Sequence, residues 1–160
     1  MKVLACDPGY DRLGVAVLER VGGVDTLIHS TCVITDRARS ITERLVVIGD
    51  AVSAALKTHT PDTVAIETLF FNKNIKTAIG VAEVRGIIMY LARCEGCTVV
   101  EYGPQEIKIA VTGYGKSDKS AVTSMVKRLV KNVPPNALDD EYDAIAVGIT
   151  ALAHGRSQNT

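Results

Sequence analysis

Two acids of this chain stand where a buried strand has no structural use for a charge. Asp7 closes the run Lys2-Val3-Leu4-Ala5-Cys6 and is followed at once by Pro8-Gly9, and Glu67 closes Asp62-Thr63-Val64-Ala65-Ile66. Apolar runs bounded by turn residues read as buried strands, and an ion at the tip of one is costly unless something pairs with it. Open α/β sheets place their chemistry at that carboxyl end. A second pair, Asp140 and Asp143, lies in Asp139-Asp140-Glu141-Tyr142-Asp143, just ahead of an apolar stretch. Residues three apart share one face of a helix's first turn. Acids there are also favoured by capping and by the macrodipole, which accounts for one or two of the four; four exceed what a cap needs.

Brought together, Asp7, Glu67, Asp140 and Asp143 make a candidate four-carboxylate site. Such a cluster repels itself unless cations neutralise it, and oxygen-only ligands suit Mg²⁺ or Mn²⁺. Two hard ions held this way can activate a water and stabilise the leaving oxygen of a phosphodiester.

The elements that must position these acids follow from the pattern. Leu13 to Leu18 and Val24 to Thr35 flank Gly22-Gly23 and read as a hairpin. Ser40-Ile41-Thr42-Glu43 has the form of a capping box opening a helix to about Lys57, with Leu45, Val46, Ile48, Val52, Ala55 and Leu56 mostly on one face. After the Glu67 strand comes a loop over 69–74 holding both phenylalanines, Phe70 and Phe71. A helix from about Lys76 to Arg93 is apolar almost all round, which implies burial on more than one side, at the centre of the fold or at a subunit interface. Cys97 to Tyr102 is a further strand, and short helices over 104–113 and 118–131 precede a last one from about Leu138 to His154. The order implies a mixed sheet with helices on its faces, an α/β fold. Residues 1–155 read as a single domain and 156–160 as a frayed tail.

At 160 residues, 47% hydrophobic and with balanced charge, the chain has enough apolar matter for a core. No apolar run approaches the ~20 residues of a membrane span, and Asp7 interrupts any signal-peptide pattern; a cytoplasmic protein without a membrane partner is expected. Cys94-Glu95-Gly96-Cys97 has no second pair to complete a zinc site and reads as a helix-to-strand turn. Between Phe70 and Lys131 ten basic residues stand against five acidic ones. A basic middle beside an acidic cluster suits a metal-dependent enzyme of phosphodiesters, although solvated lysines explain the charge equally well.

The motifs C-D-P-G-Y-D-R-L-G at 6–14, I-E-T-L-F-F-N-K-N at 66–74 and D-x-x-D-A-I-A at 140–146 resemble the RuvC family of Holliday junction resolvases. So does the stretch Tyr102-Gly103-Pro104, Lys108, Val111-Thr112-Gly113 and Asp118-Lys119-Ser120, and the match runs in order along nearly the whole chain. The resemblance implies an RNase H-like fold with a five-stranded mixed sheet flanked by helices, in a bacterial cytoplasmic homodimer. It implies Mg²⁺-dependent nicking of two like-polarity strands of four-way junction DNA in recombination and repair, with two ions per site and Mn²⁺ as a substitute. It makes Asp7, Glu67, Asp140 and Asp143 the metal-binding catalytic acids; choosing Asp140 over Asp139 rests on the family's D-x-x-D spacing. By the same resemblance Lys108 and Lys119 lie near the scissile phosphate or the DNA backbone, Lys73 also meets DNA, and one of Phe70 and Phe71 stacks on a splayed base while the other anchors the loop. The helix over 76–93 becomes part of the dimer interface, and a RuvA–RuvB branch-migration complex becomes a candidate partner.

The sequence departs from the common family pattern at Glu83-Val84-Arg85-Gly86, where many members have Q-A-R-G, and in the acids Asp139 and Glu141. Three enzymatic rivals share some of these features. The phosphate loop of actin-like ATPases resembles Asp7-x-Gly9 but needs two such domains, and a Walker A loop ending at Ser117 fails because its first glycine would be Ala110. A RuvC-like nuclease trimming ribosomal RNA precursors is closer, but the Phe70 loop and the D-x-x-D helix start fit the resolvase better. A junction-binding protein without cleavage gains nothing from acids facing phosphates.

Overall fold

The computed structural model describes residues 1–68 and 75–155. Its strands are β1 (Lys2–Asp7), β2 (Arg12–Val21), β3 (Val24–Ile34), β4 (Thr63–Glu67) and β5 (Thr98–Tyr102). Its helices are α1 (Ile41–His59), α2 (Ile75–Cys94), α3 (Pro104–Thr112), α4 (Lys119–Leu129) and α5 (Asp139–His154). The sheet runs in the order β3-β2-β1-β4-β5. β1, β2 and β3 are antiparallel neighbours; β4 pairs parallel with both β1 and β5. The hairpin turns at Gly22 and Gly23, whose φ of 59° and 82° only glycine adopts cheaply.

The period-2 alternation of the strands divides the core in two. Val3, Ala5, Ala16, Leu18 and Ala65 pack beneath α3, α4 and α5. Leu4, Cys6, Val15, Val17, Val64 and Ile66 pack beneath α1 and α2. On α1 the capping box forms as expected, Ser40 Oγ accepting from Glu43 N while Glu43 accepts from Ser40 N. Its buried stripe is Arg44, Ile48, Val52 and Leu56, each four residues after the last. Val46, expected on that face, is 61% exposed, because the i,i+4 row brings the Arg44 guanidinium inward instead.

Of the two places open to the helix over 76–93, the centre of the fold belongs instead to α5. α5 is the one enclosed all round, with every residue from Ala144 to Leu152 buried. Its small residues permit this: a Cβ on Gly148 would stand 2.4 Å from Leu18 Cδ1. α2 buries Ala78, Val84, Ile88 and Ala92 but leaves Ile79 and Tyr90 55% and 69% exposed. Between α2 and β5 the chain turns through Gly96 (φ 78°), with Cys94 exposed and Cys97 donating its Sγ proton to the Pro61 carbonyl. All four cysteines are free. No helix among the described residues is long and apolar enough to cross a membrane.

Candidate active site

β1 and β4 lie side by side with Cys6 opposite Ile66, so Asp7 and Glu67 leave the sheet together at its carboxyl edge. Alternation decides the side. Val3, Ala5 and Ala65 belong to the α5 layer, and Asp7 and Glu67 continue that series. The first turn of α5 arrives over the same edge. Gly14, the ladder partner of Asp7, lies so near that a Cβ there would stand 1.9 Å from the Asp140 carbonyl oxygen. A missing side chain therefore admits the helix start to the strand tip. Gly9 is equally constrained, its hypothetical Cβ falling 2.4 Å from Arg12 O, which keeps the turn after Asp7 tight.

The electrostatics are those of acids crowded together. Burial pushes the Asp7 carboxyl up to about 8, with Glu67, Asp143 and Asp140 adding to the rise. Glu67 is raised by burial and by Asp143; a hydrogen bond with Asp7 and the charges of Lys108 and Arg85 act against the rise. Burial raises Asp143 as well, with Lys119 opposing. Directly behind, burial followed by the Asp7 charge pushes the Cys6 thiol up to about 12, which leaves it inert.

The chain's own cations compensate part of this charge. Arg12 Nη2 lies 2.7 Å from Asp140 Oδ2. Lys119 Nζ reaches Asp143 at 3.1 Å and Asp139 at 3.3 Å. Burial works against the Lys119 charge, but Asp143 and Asp139 outweigh it and hold the ammonium above the usual lysine range. Among the described residues no three acids, histidines or cysteines close on one point at ion-holding spacing, since Asp140 turns to Arg12 and Asp143 to Lys119. The donor set still fits a hard divalent cation: it is all carboxylate oxygen, half-buried, and short of positive charge.

A cavity of about 240 Å³ opens beside these acids, lined by Glu67, Lys108, Lys119 and Asp143 with Pro104 and Ile107 among its walls. From Lys119 a polar groove continues along α4 past Ser120, Thr123 and Ser124 to Lys127. A larger cavity of about 600 Å³ lies on the far side of Pro104, against Ile109 and His154, away from the acid cluster.

Of the residues singled out in the sequence, Asp7, Glu67, Asp140, Asp143, Lys108 and Lys119 converge on this edge. Phe70, Phe71 and Lys73 lie outside the described residues. The remaining acids at the α5 start have other work: Glu141 caps the helix by accepting from Leu138 N, and Asp139 pairs with Lys119 at the surface. Arg12 and Arg85 both reach the site without having been assigned a part in it. Arg85 shows in the sequence as a cation in the middle of a largely apolar helix, in the stretch compared above with Q-A-R-G.

The family model described as "Crossover junction endodeoxyribonuclease RuvC" matches residues 3–151. A protein of that name from Thermosipho melanesiensis is 42% identical over 92% of this chain and 94% of its own length. Another, from Petrotoga mobilis, is 39% identical over 97% and 93%. The solved structure of Thermus thermophilus RuvC in complex with a Holliday junction substrate superposes with a TM-score of 0.92, at 29% identity, over 99% of this chain and 96% of that one.

Proposed function

The chain belongs to the RuvC family of crossover junction endodeoxyribonucleases, and from that premise we propose that Asp7, Glu67, Asp140 and Asp143 are its catalytic, cation-holding acids. The protein is a Holliday junction resolvase with the RNase H-like fold, acting on four-way DNA junctions in recombination and repair. One observation carries the assignment of the acids: strand alternation and the Gly14 contact put two strand tips and one helix turn on the same side of one sheet edge, where Asp7 is raised to about 8.

The four acids would hold Mg²⁺, two ions per site with Mn²⁺ as substitute. When bound, such ions supply an activated water and stabilise the leaving 3′ oxygen. The residues of the chain do the rest. The acids fix where the cations would sit at the sheet edge, and so where a phosphate could approach. Lys108 and Lys119, which both line the 240 Å³ cavity, would offset the phosphate's charge as it grows in the transition state. Attack at phosphorus opposite the 3′ oxygen leaves 5′-phosphate and 3′-hydroxyl ends. Lys127 and the hydroxyls along α4 would follow the backbone leading away from the cut.

Symmetric nicking of two like strands calls for two such sites, and hence a homodimer. The outer face of α2 supports one: Ile79, Ala82, Gly86 and Tyr90 recur at helical spacing and are all exposed in the single chain. Phe70 or Phe71 stacking on a splayed base, Lys73 on the backbone, a cytoplasmic location and a RuvA–RuvB partner complete the proposed picture. The test is separation of binding from cutting. Asp7→Asn, Glu67→Gln, Asp140→Asn and Asp143→Asn should each abolish cleavage while binding a four-way junction in EDTA as well as the unaltered protein. Cleavage retained by any of them removes that residue from the site.

A further inference from the structure

The proline that ends β1 leaves a defect in the sheet at the proposed active site. Thr98 N donates to Asp62 O and Thr68 N donates to Tyr102 O. In a parallel ladder this means that the even-numbered residues of β4 face β5 and the odd-numbered ones face β1. The Glu67 carbonyl therefore points towards β1, one step beyond the last pair, Cys6 with Ile66. The group that should donate to it in that register is the N–H of residue 8. Residue 8 is proline, which has none.

A guanidinium takes the vacant place. Arg85, only 9% exposed on the inner face of α2, donates from Nη1 to Glu67 O and from Nη2 to Glu101 Oε1 on β5. We propose that Arg85 is a positioning residue that supplies the ladder rung Pro8 cannot, fixing the backbone of Glu67 at the tip of β4 and so the aim of its carboxylate. Pro8 gives Asp7 its abrupt exit from the sheet; Arg85 offsets the cost of that exit one strand away. Arginine suits the place because its planar fork binds two acceptors at once, which a lysine cannot reproduce. The proposal rests on Glu67 being a catalytic acid.

The experiment is a mutant cycle between positions 8 and 85, with Glu67→Gln as control, in the full-length protein. Single-turnover cleavage of a four-way junction, junction binding in EDTA, Mn²⁺ affinity by calorimetry and thermal unfolding are each measured. Arg85→Met should bind the junction within about twofold of normal, yet cleave at least about tenfold more slowly and bind Mn²⁺ several-fold more weakly, since small misplacements of a reacting group are costly. Pro8→Ala restores an N–H at the right register, so Pro8→Ala/Arg85→Met should recover at least about fivefold in rate over Arg85→Met. An arginine that merely stabilised the fold would lower the unfolding temperature and gain nothing from alanine at position 8. Arg85→Met cleaving within twofold of normal, or a double variant no faster than Arg85→Met, overturns the proposal. Should Arg85→Met not fold, Glu101→Ala decides: removing the acceptor at the other end of the guanidinium should slow cleavage about two- to fivefold, and an unchanged rate is contrary. Glu67→Gln that still cleaves would instead overturn the site assignment itself.

Discussion

Replacing Asp7 by asparagine should destroy cleavage and, without divalent cations, make the protein more stable. The sign follows from the direction of the shift. An aspartate that titrates near its ordinary value of 3.8 when unfolded, and at about 8 when folded, is protonated in both states below pH ~4 and costs nothing there. As pH climbs from about 4 to about 8 the unfolded chain ionises it freely and the folded one cannot, so stability drains away across that window and levels off above it. At about 1.4 kcal/mol for each pH unit the ceiling is roughly 5–6 kcal/mol. Asp7 keeps some contact with solvent and shares its burden with Glu67, Asp143 and Asp140, so about 2–3 kcal/mol is the gain expected on substitution. For a chain of this size that is a rise of roughly 5–10 °C in unfolding temperature. Calorimetric scans of both proteins from pH 4 to 8.5, in EDTA and in Mg²⁺, make the assay. The Asp7→Asn variant should lead by that margin at pH 8 in EDTA, and the lead should shrink towards zero at pH 4. Mg²⁺ at a hundred times its Kd should raise the unaltered protein by about 2.7 kcal/mol and the variant far less, closing the gap. A variant less stable than its parent at pH 8 in EDTA, or a gain that ignores pH, refutes the crowded-carboxylate account.

The contact that brings α5 to Asp7 makes Gly14→Ala a sharp probe. A Cβ placed 1.9 Å from the Asp140 carbonyl forces the helix start outward, at a cost of about 1–3 kcal/mol, and cleavage should fall further than junction binding does. Lys119→Met should slow cleavage about tenfold or more if, as proposed, its ammonium offsets the charge of the reacting phosphate, and should flatten the salt dependence of junction binding by about one power of salt concentration. Arg44 is buried between Thr35 Oγ1, the Tyr10 carbonyl and the Asp11 carboxylate, with the Tyr10 ring 4.8 Å away. Arg44→Met should cost about 2–4 kcal/mol by stranding those partners, one of them partly wet, which calorimetry reads as a lowered unfolding temperature.

Much of this site is legible along the chain, because local rules govern it. An apolar run that stops at an acid and a Pro-Gly turn marks the tip of β1, and the similar run ending at Glu67 marks β4; alternation then does the aiming. Capping accounts for Glu141, and the helical repeat separates Asp140 and Asp143 from the polar surface. The remainder depends on partners distant in sequence. The two nearly all-apolar helices look alike by composition, and only Gly14 and Gly148, small where α5 crosses β2, show which one the sheet encloses. Arg12 reads as a turn residue until Asp140 folds onto it. Arg85 reads as an intrusion on an apolar helix until the missing N–H of Pro8 gives it a purpose. Arg44 sits in a stripe of apolar residues for the same reason: its acceptors come from the β1–β2 turn and the end of β3.

The central claim is that the acid cluster at this sheet edge cuts four-way junctions with the help of a hard cation. Labelled four-way junction, linear duplex of the same sequence and single-stranded RNA, each incubated with the purified protein in Mg²⁺ or in EDTA, test it most directly. Paired, symmetric nicks confined to the junction, ending in 5′-phosphates and absent in EDTA, are the predicted result. Cleavage that persists in EDTA, or RNA trimmed while the junction stays whole, would contradict it.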